Sequence, residues 1–278
     1  MARRLVHLSD LHFGRVNWTL VEPLLASVRA LSPHVVAISG DLTQRALPEQ
    51  FADARSFIDR LGAPVVVVPG NHDISMWNVL RRFLAPLRRY RKYISHDAEP
   101  TWQDEELFVL GLNSARSLTI KEGRLSRHQL AHARRHLEAA GSDRWKVVLL
   151  HHPFFEPEGG TPQDIVGGRD RALAMLHECG ADVLLAGHLH RSWSRNTPEV
   201  HRLADRTLLA VQAGSAISTR LRGEKNSFNV VDLGEDGASV TIHSWDPDKA
   251  AFAAGMSNRY VQRGTWIKLA SQPAGAGA

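Results

Sequence analysis

The sequence predicts an α/β fold of βαβ units followed by a run of antiparallel strands, and three observations carry that prediction. Short apolar runs rich in β-branched residues recur along the chain, as in "HVVAISGD" and "APVVVVPGNHD". The stretches between them, such as Trp18–Leu31 and Pro48–Leu61, place apolar residues at helical spacing. After "GHLHRSWS" the pattern shortens to pieces separated by Gly, Asp and Asn turns.

Taken in order, "RLVHLSD", "HVVAISGD" and "APVVVVPGNHD" read as three buried strands with helices between them. "VLRRFLAPLRRYRKY", Val79 to Tyr93, reads as an amphipathic helix pair broken at Pro86, its five arginines and one lysine facing solvent and its apolar side the core. The same stretch offers an anion-catching flap or a contact for anionic lipid head groups. "ELFVLGLNS", "KVVLLHHP" and "DVLLAGHLH" are further strands. Between the first two lies "SRHQLAHARRHLEAA", whose His128, His132 and His136 share one helical face. The interleaved arginines make that face a solvated surface before they make it a metal site. "RTLLAVQAGS", "FNVVDLG" and "ASVTIHSW" predict consecutive antiparallel strands forming a second sheet. Residues 1–270 then form one domain, and "SQPAGAGA", 271–278, has nothing to bury and reads as a disordered tail.

Composition narrows the class. A chain of 278 residues that is 43% hydrophobic and 23% charged is an ordinary globular protein. Its start, "MARRLVHLSD", lacks the apolar stretch of a signal peptide, and no segment approaches a membrane span, so a cytoplasmic location is expected. The single cysteine, Cys179, excludes an internal disulfide framework. A net charge of +5 favours anionic partners without locating a site.

The strand ends hold the chemistry. Asp10 and His12 follow the first strand, Asp41 the second, Asn71, His72 and Asp73 the third, His151 and His152 a later one, and His188 and His190 the next. Ligands of open α/β sheets bind beyond the carboxyl ends of strands, so these clusters should converge. Each alone reads more readily as a structural residue, the aspartates as helix caps or turn residues and a solitary strand-end histidine as part of the scaffold. Together, carboxylate, imidazole and amide oxygens suit hard to borderline divalent ions such as Mn, Fe or Zn, and no cysteine is placed to help. So many donors exceed what one catalytic ion needs, and they suit two ions sharing a carboxylate. Gly40, Gly70 and Gly187 mark places where the backbone turns tightly beside these residues. Of His151 and His152, strand alternation lets only one face the ions directly.

Asp10-Leu11-His12, Gly40-Asp41, Gly70-Asn71-His72-Asp73, His151 and Gly187-His188-Leu189-His190 resemble the ordered motif set of the calcineurin-like metallophosphoesterases. Within that superfamily the chain is most similar to class III cyclic-nucleotide phosphodiesterases and their bacterial phosphodiesterase relatives. The resemblance implies a four-layer αββα sandwich of two mixed β-sheets flanked by helices. It implies one metal on Asp10, His12, Asp41 and His190, and another on Asp41, Asn71, His151 and His188, with Asp41 bridging and His151 taken over His152. His72 is then a non-ligand that stabilises phosphoryl oxygens or protonates the leaving alkoxide, and Asp73 orients it by hydrogen bonding.

The implied activity is hydrolysis of a cyclic nucleotide or similar small phosphodiester by metal-activated water. Departures narrow it: "GDLTQR" and "GNHD" lack the acidic and arginine residues of the protein serine/threonine phosphatases, and Leu42, Thr43 and Gln44 offer no purple-acid-phosphatase tyrosine. A nucleic-acid polymer is disfavoured, since the superfamily's DNA-repair nucleases add a capping domain for which there is little room. Three further expectations stand beside these: a lipid-linked pyrophosphatase or phospholipid phosphodiesterase, motivated by the arginine-rich segment; a non-catalytic scaffold; and a homodimer through part of the second sheet. Arg116, in "GLNSARS", and the loop "FFEPEGGTPQD" are candidate substrate contacts by position.

Overall fold

Alternation along the buried strands builds the molecule in layers. The computed structural model describes residues 2–75, 79–119, 121–156, 165–196, 207–235, 237–263, 265–269 and 271–274. Its first half runs β1 (Arg3–Leu8), α1 (Val21–Ala30), β2 (Val35–Ile38), α2 (Pro48–Asp59), β3 (Val65–Val67), α3 (Val79–Leu84) and α4 (Arg88–Tyr93). There follow β4 (Thr101–Gln103), β5 (Leu107–Leu112), α5 (Arg127–Ala139), β6 (Trp145–Leu150), α6 (Arg169–Glu178), β7 (Val183–Ala186), β8 (Trp193–Asn196) and β9 (Leu209–Gln212). The chain closes with β10 (Ser227–Gly234), β11 (Gly237–Asp246), β12 (Ala251–Arg263), β13 (Thr265–Lys268) and the short β14 (Gln272–Pro273).

One sheet has the order β13-β12-β11-β10-β1-β2-β3, with β14 beside β12; the other runs β4-β5-β6-β7-β9-β8. Leu5, Val35, Ala37 and Val66 of the first sheet meet Val109, Val147, Leu149, Val183 and Leu185 of the second in a core between the sheets. Their alternates point outward. Val6, Leu8, Val36 and Ile38 pack beneath α1, α2 and α4, and Leu110, Leu112, Val148 and Leu150 beneath α5 and α6. Period-two strands buried on both faces therefore produce helix, sheet, sheet and helix layers. The helices start on local signals: Ser126 and Gln129 form a reciprocal capping box for α5, and Pro48 occupies the first turn of α2.

Two expectations need correction. The strands after residue 190 do not make a sheet of their own: β8 and β9 complete the second sheet, whereas β10 to β13 extend the first. β1 leaves one edge open beside β2, and β10 fills it antiparallel, from Arg3 opposite Leu233 to His7 opposite Asn229. β10 can do so because its own alternation fits both layers, Phe228 and Val230 facing the helices and Val231 and Leu233 facing the other sheet. The expected disordered tail also does not begin at 271, since Gln272 and Pro273 pair with Ser257 and Met256; residues 275–278 lie outside the described residues.

The arginine-rich segment divides at Pro86 into α3 and α4. α4 meets the amphipathic expectation: Leu87, Tyr90 and Ile94 are buried, and the Tyr90 hydroxyl donates to the Val67 carbonyl at 2.8 Å. α3 does not, and four of its apolar side chains face solvent.

Candidate metal centre

The carboxyl ends of β1, β2, β3, β6 and β7 open on one point. Asp10 Oδ1 lies 3.3 Å from His190 Nε2 and 3.5 Å from His12 Nε2, and the two imidazole nitrogens are 3.4 Å apart. Asp41 Oδ2 stands 3.7 Å from His12 Nε2 on that side. Its other oxygen, Oδ1, is 3.4 Å from His151 Nε2, which is 3.0 Å from Asn71 Oδ1 and 3.3 Å from His188 Nδ1. Thus the seven side chains read from the sequence as metal donors come together in two sets that meet at the two oxygens of Asp41.

Hydrogen bonds behind the site fix which atoms face it. His151 Nδ1–H donates to the Ser39 carbonyl at 2.7 Å, and His190 Nδ1–H to the Arg220 carbonyl at 2.8 Å, leaving both Nε2 lone pairs pointing inward. Asp10 Oδ2 accepts from the Ser9 hydroxyl at 2.6 Å and the His188 N–H at 3.0 Å. Oδ1 of the same carboxylate is buried with no hydrogen-bond partner. Lone pairs of imidazole, carboxylate and amide crowded together in a dry site repel unless cations lie among them. The donor set therefore fits divalent metal, and His/Asp groups that could hold metal ions are present: Asp10, His12 and His190 form one, and Asp10, Asp41 and His151 another.

Electrostatics agree at Asp10, Asp41 and His12, whereas at His151 burial is outweighed by Asp41 and Asp10 and the pKa is raised, so that imidazole gives up a proton when its Nε2 binds metal. Burial pushes the Asp10 carboxyl up, but His190, His12 and His151 more than offset it and hold it well below its ordinary value. For Asp41, burial is likewise outweighed by His151, His72 and His12. Burial leaves His12 reluctant to take a proton despite Asp10 and Asp41. The fold thus keeps both carboxylates ionised and His12 neutral, the states in which they bind metal.

The backbone is strained at the same place. Asp10, His12, Asp41, His188 and His190 all have positive φ, between 50° and 77°, a conformation costing non-glycine residues about 1–3 kcal/mol each. The glycines serve two purposes. Gly40 has φ +84°, as a tight turn requires. Gly70 and Gly187 serve close approach instead: a Cβ at Gly70 would overlap Asp41, and one at Gly187 would overlap the Ser9 hydroxyl and come within 2.9 Å of Asp10 Oδ2.

His152 is committed elsewhere. Its Nε2–H donates to the Lys121 carbonyl and its Nδ1 accepts from the Ser114 hydroxyl, both at 2.8 Å, although its ring stands 4.7 Å from that of His188. His72 lies at the edge, its ring 5.0 Å from that of His12. The expected hydrogen bond from Asp73 to His72 is replaced. Asp73 accepts from the N–H groups of Gly70, Leu42 and Thr43 and from the Thr43 hydroxyl, tying the loop after β3 to the loop after β2. Buried and beside the Asp41 charge, its carboxyl is pushed up to about 6 against the pull of those donors. His72 is oriented by other groups: Nδ1–H donates to the Gln44 carbonyl at 2.9 Å, and Nε2 accepts from the Arg220 guanidinium at 3.0 Å.

Arg220, which the sequence reading missed, meets no carboxylate among the described residues, and its carbonyl and guanidinium serve two different histidines. It sits eight residues beyond β9, too far for strand-end logic to single it out. Ser9 and Ser39 were likewise passed over, though both adjoin the motifs. Of the positional substrate candidates, Arg116 lines a cavity of about 580 Å³ with Arg124, Gly123 and Gly167. Residues 157–164 of the other candidate loop lie outside the described residues. On α5, outside this centre, the Nε2 atoms of His132 and His136 lie 3.0 Å from each other.

Comparison with known proteins gives the geometry a lineage. Residues 3–192 match the model of the calcineurin-like phosphoesterase family. A probable cyclic nucleotide phosphodiesterase of Synechococcus sp. is 24% identical over 205 residues, covering 69% of this chain and 75% of that protein. The glycerophosphodiester phosphodiesterase GpdQ of Enterobacter lignolyticus is 26% identical over 200 residues, 67% of this chain and 70% of its own. Among solved structures, PhoD superposes with a TM-score of 0.72 at 12% identity over 100% of this chain and 73% of its own, a likeness of fold. With the match spanning every strand-end cluster of the centre, the chain belongs to the calcineurin-like phosphoesterases, a family of hydrolases.

Proposed function

We propose that the chain is a dinuclear, metal-dependent phosphodiesterase acting on a cyclic nucleotide or a similarly small diester. The observation that carries the reading is the gathering of six other donor side chains about Asp41, with His12 beside its Oδ2 and His151 beside its Oδ1. Asp10, His12, Asp41 and His190 would hold one ion, and Asp41, Asn71, His151 and His188 the other, with His151 preferred over His152 because the latter spends both nitrogens on Ser114 and Lys121. Two such ions, Mn or Fe by the donor chemistry and Zn as the third candidate, would supply Lewis acidity at the phosphoryl group.

The chain's own residues supply the rest. Ser39 and the Arg220 carbonyl fix the imidazole tautomers, and Ser9 with the His188 N–H aims Asp10. His72, its Nδ1–H held on the Gln44 carbonyl, accepts from the Arg220 guanidinium at Nε2; only after taking up a proton there and parting from Arg220 would it bring that proton to the leaving alkoxide. Arg220 beside it adds positive charge where phosphoryl oxygens would lie. Preference for a diester over a monoester is supported by the names of the relatives, which act on cyclic nucleotides and glycerophosphodiesters.

The test is hydrolysis of bis-p-nitrophenyl phosphate beside p-nitrophenyl phosphate with Mn supplied, in wild type and in Asn71→Ala. Faster diester turnover, abolished in the variant, is the expected result. Wild-type protein with two verified equivalents of metal and no turnover of either compound would leave an enzyme strict for its natural substrate or a scaffold.

A further inference from the structure

The surface formed by α3 and the loop after β5 departs from the rest of the molecule. Val79, Leu80, Phe83 and Leu84 project from α3 into solvent, Leu80 at 71% and Leu84 at 76% exposure, and Leu118 stands out at 74%. The exposed side chains of α3 form an apolar prong, and Arg82, buried on the other side of the helix, donates through Nε to the Ser117 carbonyl at 2.6 Å and also to the Thr119 carbonyl, which ties the loop tip carrying Leu118 to α3. Beside it, Arg81 of α3 and Arg88, Arg89 and Lys92 of α4 line a crevice of about 150 Å³, completed by Pro48 and Tyr93. Four cations line that crevice, and among the described residues Glu49 is a carboxylate that acts on one of them, Arg89.

Each half of this surface is costly alone. Exposed aliphatic side chains in a contiguous group mark an interaction surface, and clustered like charges repel until an anion joins them. A second copy of the chain would satisfy the first half only: two-fold pairing sets equivalent patches against one another and would bring two cationic crevices together. A bilayer containing anionic lipid satisfies both, the prong entering the boundary between head groups and acyl chains while the crevice takes a head-group phosphate. We propose that α3, Leu118 and the Arg81–Arg88–Arg89–Lys92 crevice form a docking surface for an anionic lipid bilayer.

The test reads binding rather than turnover, so it stands apart from the phosphodiesterase reading. The full chain is floated with phosphatidylcholine vesicles, with and without phosphatidylglycerol, at low and high salt. Binding is expected with the anionic vesicles alone, weakened by salt and unaffected by added inorganic phosphate. Arg88→Ser with Lys92→Ser should weaken it by about fivefold for each cation removed. Leu80→Glu with Leu84→Glu should abolish it while the circular dichroism spectrum and melting temperature stay those of wild type, which shows that the variant is folded. Equal binding to both vesicle types, retention of wild-type binding by either double variant, or complete displacement by inorganic phosphate would overturn the proposal. So would failure to bind vesicles together with a dimer that the leucine variant disperses, since the patch would then belong to a second copy.

Discussion

Asp73→Asn separates two roles for a residue that the sequence places next to His72. Asp73 Oδ2 accepts from the N–H groups of Gly70 and Leu42, at 2.9 and 3.1 Å, and Oδ1 accepts from the N–H and hydroxyl of Thr43, both at 2.9 Å. An asparagine must turn its NH₂ toward one of these pairs. Facing Gly70 and Leu42 it would orphan two buried donors; facing Thr43 it orphans one, because the hydroxyl can reverse and accept while donating to the His72 carbonyl 3.2 Å away. The second orientation is cheaper, and leaving one buried N–H unmade costs about 1–3 kcal/mol. Losing the charge of the acceptor weakens the remaining bonds, whereas relief of repulsion with Asp41 offsets part of that loss. The net expectation is roughly 2 kcal/mol of destabilisation, about 3–4 °C in melting temperature for a chain of this size. Thermal melts of chelator-treated protein read the stability, and turnover per equivalent of bound Mn reads the chemistry, which should stay within about threefold of wild type because His72 is held by Gln44 and Arg220 instead. Unchanged stability with a hundredfold fall in turnover per metal would refute this account and return Asp73 to orienting His72.

Gly187→Ala drives a methyl group into the Ser9 hydroxyl and against Asp10, so metal content measured after Mn loading should fall below two equivalents and turnover by about a hundredfold, through displacement of a positioned donor. Arg220→Met should leave metal content intact, since the carbonyl rather than the side chain holds His190, but should raise KM for the diester about tenfold or more through loss of one charge-assisted contact, with partial recovery in Arg220→Lys. His243, stacked on Phe228 at 4.9 Å, has its pKa lowered from 6.5 by burial and then by Arg4, with Asp232 opposing. Its unfolded form therefore takes up a proton first as pH falls, so stability is full above about 6.5 and declines as pH drops through that value toward the lower folded one. Denaturation curves at neutral and mildly acidic pH should show a smaller acid loss in His243→Asn than in wild type.

What could be read from the sequence was whatever the chain encodes locally. Val65 to Val68 followed by Pro69 and Gly70 announces a buried strand and its end without reference to anything distant, and Asn71 and His72 then fall at the crevice because strand ends share one edge of a sheet. Where partners come from far along the chain, local pattern is silent. β10 could alternate in either sheet, and only the unfilled edge of β1 decides for the first. Asp73 stands beside His72 in sequence, yet the short 3-10 turn Asn71–Asp73 sends its carboxylate back to three backbone donors and leaves His72 to Arg220, 148 residues away. Arg220 carries no local mark, since an arginine in a loop is the commonest of surface features.

The strain at the centre gives those unmarked residues their purpose. Five positive-φ residues at about 1–3 kcal/mol each represent a cost that would relax if the turns were free to move. They are not free: Ser215 donates to the Asp10 carbonyl, Gln212 to that of Gly187, Asp73 clamps the loops after β2 and β3, and Ser39 and the Arg220 carbonyl anchor two imidazoles. A carboxylate aimed by its own Ser–His188 pair keeps one oxygen for metal and cannot turn to satisfy it elsewhere, as the partnerless Asp10 Oδ1 records. Rigid donors facing one another store repulsion that bound cations release, so the energy holding the loops in strained turns is returned as metal affinity. It follows that substitutions at Ser9, Ser39 or Gln212, none of which offers a donor to the ions, should weaken metal binding more than they weaken the apo fold.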